Sequence, residues 1–202
     1  ENINFLTAKT DCHLSINAKL IVGADGRDSC VRKLCGIDVT SVHYHQTAIV
    51  LSVEHELSHY NVAYEHFLPA GPFAILPLGG KGGENKTSSI VWTERTDSAK
   101  KLLSLSKEGF NSQLRATFGD FLGDVRVFGP RWSYPLSSQY TERSAVNRVV
   151  LVGDAAHAIH PIAGQGLNLG FRDVAALSEI VADSGRVGLD IGGIGVLDPY
   201  TG

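Results

Sequence analysis

Arg148-Val149-Val150-Leu151-Val152-Gly153-Asp154-Ala155-Ala156-His157 is the stretch whose reading decides the fold. Arg148 to Val152 is a near-continuous apolar run, the pattern of a short strand buried on both faces. Gly153-Asp154 ends it and a glycine-punctuated loop follows. Residues 164–182 then read as a helix, with Leu167, Phe171, Val174, Leu177 and Val181 spaced by four, three, three and four. Gly170 falls on the same face and predicts a close approach to a strand. This order places Asp154 at the carboxyl end of a strand, where open α/β sheets bind their ligands. Gly164 and Gly166 let backbone come close to a flat or anionic ligand. The free N–H groups and positive end of the helix would face that ligand, and Pro161 fixes the course of the loop.

A second strand–turn–helix piece stands near the start of the chain. Lys19-Leu20-Ile21-Val22-Gly23 reads as a strand closing on Ala24-Asp25-Gly26, and a short helix is expected from Ser29 to Leu34, with Ser29 as its cap. Asp25 can accept hydrogen bonds from a ligand or order the loop, and Arg32 can meet a phosphate or an acidic neighbour. Taken alone, the segment reads better as Asp-Gly in an ordinary turn. Between the two pieces, residues 47–53, 62–68, 73–78, 89–93, 125–128 and 131–134 read as strands, and residues 98–118 as one or two helices. Pro69-Ala70-Gly71-Pro72 marks a turn, and Gly79-Gly80-Lys81-Gly82-Gly83 reads as a mobile hairpin rather than a phosphate loop, because no Lys-Ser/Thr pair follows at the required spacing and no helix opens there.

The 202 residues are 43% hydrophobic and 19% charged, with a formal net charge of −3. That is length for one domain or one and a half, with a sizeable core. The balance gives no basic surface for nucleic acid, and no apolar run is long enough to span a membrane. Cys12, Cys30 and Cys35 form no CxxC and no disulfide framework, which points to a reducing, cytoplasmic setting. The eight histidines invite a metal site. His43 with His45 would share a strand face, and His55 with His59 a helix face, but no Cys, Asp or Glu set completes a ligand shell and no metal is expected. Glu54-His55-Glu56 reads as an exposed strand end, while Trp92, Trp132 and Tyr134 read as sheet packing. His157 and His160 read as loop-ordering residues.

The Gly-Ala-Asp-Gly segment at Gly23–Gly26 and the Gly-Asp-Ala-Ala-His segment at Gly153–His157 together resemble two FAD fingerprints of single-component flavin hydroxylases. More narrowly, His160, Pro161, Ala163, Gly164, Gln165, Gly166, Asn168, Gly170 and Asp173 resemble the signature of the ubiquinone-biosynthesis hydroxylases. The resemblance implies a mixed α/β (α+β) fold. It would be a partial FAD-binding domain of the p-hydroxybenzoate hydroxylase type, with an inserted, mostly antiparallel β-sheet substrate domain. Residues 1–36 and 146–202 would belong to the FAD-binding domain and 37–145 to the substrate domain.

It further implies an FAD-dependent monooxygenase that uses NAD(P)H and O2 to hydroxylate a polyprenylated phenol in ubiquinone biosynthesis. Such a protein would sit in the cytoplasm or peripherally on the inner membrane (the matrix side in a mitochondrion), alone or in a quinone-biosynthesis complex. The cofactor-binding residues would be Asp25, Gly26, Arg32, Gly153, Asp154, Pro161, Gly164, Gln165, Gly166, Leu167 and Asn168. The backbone of Pro161, Gly164 and Gly166 would lie near the flavin ring. A related flavoprotein reductase or halogenase, and a non-catalytic scaffold, stay open as alternatives.

The family opens with a Gly-x-Gly-x-x-Gly loop that no glycine pattern ahead of Asp25 matches, and the chain has no methionine, so an internal fragment is expected. The 202 residues by themselves should therefore retain FAD poorly, since the missing amides would carry its pyrophosphate. The visible spectrum of the purified chain after incubation with excess FAD checks this; a stoichiometric bound chromophore overturns it.

Overall fold

A computed structural model describes residues 5–9, 11, 14–79 and 85–201. Cys12, His13 and most of the Gly79–Gly83 hairpin therefore lie outside the described residues. The chain forms two compact units, residues 1–42 with 137–202, and residues 43–136. Residues 37–42 and 137–145, expected with the middle of the chain, thus group with the flanking unit. Two long strands, β4 (Val39–His55) and β8 (Val125–Thr141), run across both boundaries, and composition gives no sign of that.

In the first unit a hairpin of β1 (Leu6–Lys9) and β2 (Ser15–Ala18) precedes β3 (Ile21–Gly23) and α1 (Cys30–Leu34). The hairpin strands are polar and show no clear alternation, so no sequence signal announced them. β3 pairs in parallel with β10 (Val149–Leu151), matching Ile21 with Val149 and Gly23 with Leu151, and β9 (Ala145–Val146) pairs antiparallel on the other side. β10 is buried on both faces, as its composition predicts. Val150 and Val152 pack with Leu177 of α4 (Gly166–Arg186) and Leu197 of α5 (Ile194–Leu197), while Leu151 packs toward Val31 of α1. Arg148 does not begin the strand. It takes a positive φ of 66° and sends its buried guanidinium to the Asp190 carboxylate and the Lys19 carbonyl.

The helix expected over 164–182 starts two residues later and runs four further. Leu177 and Val181 pack as predicted, but Leu167, Phe171 and Val174 are 69%, 62% and 50% exposed, so the first half of the apolar face is bare among the described residues. Gly170 faces the turn at Gly153 rather than a strand: a Cβ there would lie 3.5 Å from Gly153 Cα, an ordinary contact.

The second unit is an antiparallel sheet in which β8, β4, β7 (Thr87–Arg95), β6 (Gly71–Leu78) and β5 (Tyr64–Leu68) follow one another, backed by α2 (Thr96–Ser104) and α3 (Lys107–Phe118). The strand period of two decides which side chains meet the helices. Ile49, Leu51 and Val53 of β4 face inward with Ile90 and Trp92 of β7 and Phe73 and Ile75 of β6, against Phe110, Leu114 and Phe118 of α3. The register sets Ile49 beside Trp92 and Trp92 beside Phe73, whose rings meet edge-on at 5.5 Å. Each such buried side chain contributes about 1.5–3 kcal/mol relative to exposure.

Three expectations fail here. The runs at 125–128 and 131–134 are one strand, because Gly129 takes φ 75° without ending it. Trp132 and Tyr134 are 58% and 55% exposed, so of the three aromatics only Trp92 packs in the sheet core. His55 and His59 share no helix: His55 ends β4, His59 sits in the following turn, and both are buried.

Those two rings fasten the turn. His55 Nδ1 lies 2.7 Å from the Leu57 carbonyl and its Nε2 3.0 Å from Ser88 Oγ, while His59 Nδ1 accepts from the Asn61 amide at 2.9 Å. Burial lowers the pKa of His55, with the positive potential of His59 and Lys86 acting the same way and the Leu57 carbonyl opposing. A depressed histidine value means that the unfolded chain binds the proton first. Stability should then be flat above about pH 6.5 and fall as pH drops below it, with a slope of at most ~1.4 kcal/mol per unit per proton. Urea midpoints between pH 7.5 and 5.5 measure this, and His55→Gln should flatten the profile; a wild-type midpoint constant over that range refutes it.

Candidate functional site

The parallel pairing of β3 and β10 brings both sequence motifs to one end of one sheet. β3 ends in Gly23-Ala24-Asp25-Gly26, and β10 leads through Val152 into a 3₁₀ turn at Gly153–Ala155, with the Val152 amide bonded to the Gly23 carbonyl at 3.0 Å. The loop passes β11 (His157–Ala158) and Pro161, makes a second 3₁₀ turn at Ile162–Gly164, and enters α4. Gly153 and Gly164 hold φ of 58° and 60°, backbone that a side chain would strain.

The carboxylates of the site divide into two kinds. Asp25 is occupied from within: its Oδ1 accepts from Ser29 Oγ at 2.5 Å and its Oδ2 from the Val31 amide at 3.0 Å. Burial raises its pKa, but the hydrogen bonds from Ser29 and Val31 outweigh that and leave it below the usual carboxylate value. Asp173 of α4 is also occupied. One oxygen accepts from the Gly153 amide at 2.7 Å and lies 2.8 Å from His157 Nε2. Asp154 differs, because its exposed carboxylate makes no hydrogen bond among the described residues.

Around Asp154, α4 presents its amino-terminal turn without a side-chain cap and without an acidic residue. The amides of Gly166, Leu167 and Asn168 are therefore open donors. A Cβ placed at Gly164 or Gly166 would touch nothing within 4 Å. Pro161, Gly164, Gln165, Leu167 and Asn168 are exposed along the same loop, and Asn168 Nδ2 donates to Gln165 Oε1 at 3.2 Å. A free carboxylate, open amides and bare backbone make a surface that accepts hydroxyls with one group and anionic or carbonyl oxygens with the other.

Arg32 is placed differently from a phosphate ligand. It is buried, with Nη1 on the Ala155 carbonyl and Nη2 on the Arg27 carbonyl, both at 2.8 Å. It ties the two loops together. Gln139, which sequence reasoning missed, does the same work: its amide nitrogen donates to the carbonyls of Arg27 at 2.8 Å and Asp154 at 3.1 Å. Nothing local in the sequence marks a glutamine on β8 as the staple between loops over a hundred residues apart. Asp173 carried a signal, since it closes the glycine-rich signature, and His157 orders the loop as expected.

The family model of the FAD binding domain matches residues 2–186. Ubiquinone hydroxylase UbiL of Rhodospirillum rubrum is 53% identical over 186 residues, covering 92% of this chain and 42% of that protein. The 3-demethoxyubiquinol 3-hydroxylase of Escherichia coli is 35% identical over 173 residues, covering 86% of the chain and 43% of that protein. The chain spans less than half the length of these two relatives. Among solved structures, P. aeruginosa PqsL in complex with 2-aminobenzoylacetate aligns with a TM-score of 0.76 at 21% identity, over 96% of this chain and 54% of that one. That likeness shows the fold. The chain belongs to the FAD binding domain family.

Proposed function

We propose that the protein is an FAD-dependent hydroxylase that uses NAD(P)H and O2 on a polyprenylated phenol of ubiquinone biosynthesis. One oxygen atom enters the ring and the other leaves as water, with NAD(P)H oxidised to NAD(P)+. The observation that carries the reading is the unpartnered Asp154 carboxylate beside the uncapped start of α4. A scaffold would have no use for an open acid at a strand end, and the relatives that share this stretch are named as ubiquinone hydroxylases. Such a substrate lies in a lipid bilayer, so the protein would work at a membrane surface. Among the described residues no helix is long and apolar enough to cross one.

The residues present fit FAD. Asp154 would accept hydrogen bonds from the ribityl hydroxyls, and the amides of Gly166 to Asn168, at the positive end of α4, would face electron-rich oxygens of the ring. Asp25, Gly26 and Arg32 would act from the neighbouring loop, chiefly by fixing its shape. Bound FAD supplies the oxygen activation, a chemistry outside the reach of ordinary side chains. The chain's own task is to bind, to orient and to exclude water, and Pro161, Gly164 and Gly166 would do this with backbone rather than with an acid or base.

Two measurements on the full-length protein test this. Asp154→Ala removes a charge-assisted acceptor worth about 1.5–3 kcal/mol, so FAD affinity should fall about tenfold to a hundredfold while the far-ultraviolet spectrum stays unchanged. Unchanged affinity removes Asp154 from the site. Gly166→Val fills open space at the helix start, and it should raise the ratio of hydrogen peroxide released to hydroxylated product. Coupling equal to that of wild type at the wild-type rate would place the loop outside the active site.

A further inference from the structure

The strand-rich unit holds a second polar site that the hydroxylation reading does not use. A cavity of about 630 Å³ opens between the first turns of α3 and strand β8, with Lys107 and Asn111 on one side and Arg126 and Arg131 on the other. Its one carboxylate, Glu54, is already committed to Arg126, at 2.6 Å from Nη2 and 2.8 Å from Nε. Glu108, next to Lys107 on α3, does not line it. Two cations are left over.

Arg131 is the telling residue. Its guanidinium carbon sits 4.5 Å over the ring of Phe110, and its Nη1 is buried with no hydrogen-bond partner among the described residues. A buried N–H of a charged group without an acceptor carries a desolvation penalty that an incoming anion would remove. The Phe110 ring lies at cation–π distance beneath the guanidinium, and Arg131 lines the cavity in which an oxyanion would sit. Asn111 spends its carbonyl oxygen on the Val127 amide, at 3.2 Å, so its NH2 is free to donate.

We propose that this cavity binds a phosphate monoester. Lys107, Asn111 and Arg131 would hold the phosphate, and Phe110, Val127 and Phe128 would line the space for its organic part. A volume of this size exceeds a bare ion and suits an organic phosphate. The ester comes either from a small soluble molecule or from a lipid headgroup, and both present the same oxygens to the same donors.

The test begins with inorganic phosphate titrated into the full-length protein, followed by thermal shift, with chloride at equal ionic strength as control. Phosphate should stabilise the wild type and chloride should not. Lys107→Gln should weaken the phosphate response about tenfold and Arg131→Gln should abolish it, with flavin content unchanged in both. Sedimentation with phosphatidylcholine vesicles containing phosphatidic acid then separates the sources. Pelleting that Lys107→Gln reduces supports the site with a headgroup as its ligand. A phosphate response without pelleting supports it with a soluble ester. Lys107 is exposed, so its variant decides the matter even if Arg131→Gln fails to fold. No phosphate response in wild type, or one unaltered by Lys107→Gln, overturns the proposal.

Discussion

The parallel pairing of β3 with β10 is the constraint on which the first unit depends. It joins strands separated by the whole strand-rich unit, and three register pairs, Ile21 with Val149, Val22 with Val150 and Gly23 with Leu151, align the ends from which both loops depart. Closing so long a loop costs entropy that grows only with the logarithm of its length, so a unit the size of residues 43–136 can be inserted at modest expense. The pairing holds because β10 is sandwiched: Val150 and Val152 face one core and Leu151 another. Without it Asp25 and Asp154 would have no common edge.

The polar groups around that edge follow from the burial of the strands. Loops leaving a doubly covered sheet carry carbonyls that need donors, and the molecule supplies them from long side chains reaching across. Arg32 serves the Ala155 and Arg27 carbonyls, Gln139 serves Arg27 and Asp154, and Tyr200 Oη donates to the Leu151 carbonyl at 2.8 Å. Burial foremost, with the negative potential of Asp173 behind it, pushes the Tyr200 phenol far above its ordinary value, so it stays a neutral donor. The cations and amides of this layer are spent on shape. On the proposed reading, ligand contact falls to groups the layer does not consume.

What was legible in the sequence follows the range of the physics involved. β10, the Ser29 cap of α1, the strand run at residues 47–53 and the second half of the apolar face of α4 are local patterns, and each reappears in the structure. The Gly-Asp and glycine-rich segments were equally legible, because backbone conformation of that kind admits few other residues. The role of Arg32 was not, since a lone arginine near a helix start looks the same whether it meets a phosphate or a carbonyl 123 residues away. His55 looked exposed between two glutamates for a similar reason: strand alternation turns Glu54 and Glu56 one way and His55 into the core. Trp132 and Tyr134 failed in the opposite sense, as aromatics on the sheet surface away from the helices.

The start of α4 lacks the devices that stabilise the other helix starts, as the proposed binding role would require. Of the three helices with eight or more residues among the described residues, α3 has a Ser106 cap and Glu108 in its first turn, and α2 has Asp97. α4 is the longest and has neither. A good cap is worth about 1 kcal/mol and a first-turn acid a few tenths more, so evolution toward stability alone would have supplied one. The helix tolerates the omission because Leu177 and Val181 anchor its second half in the core of the first unit, and Asp173 holds its middle to Gly153 and His157. A carboxylate at the first turn would occupy the very amides assigned to a ligand's oxygens in the proposed function. The same contrast holds for Asp154: in the neighbouring loop Asp25 is tied into its own helix, whereas Asp154 is held by its backbone carbonyl alone, its carboxylate left exposed.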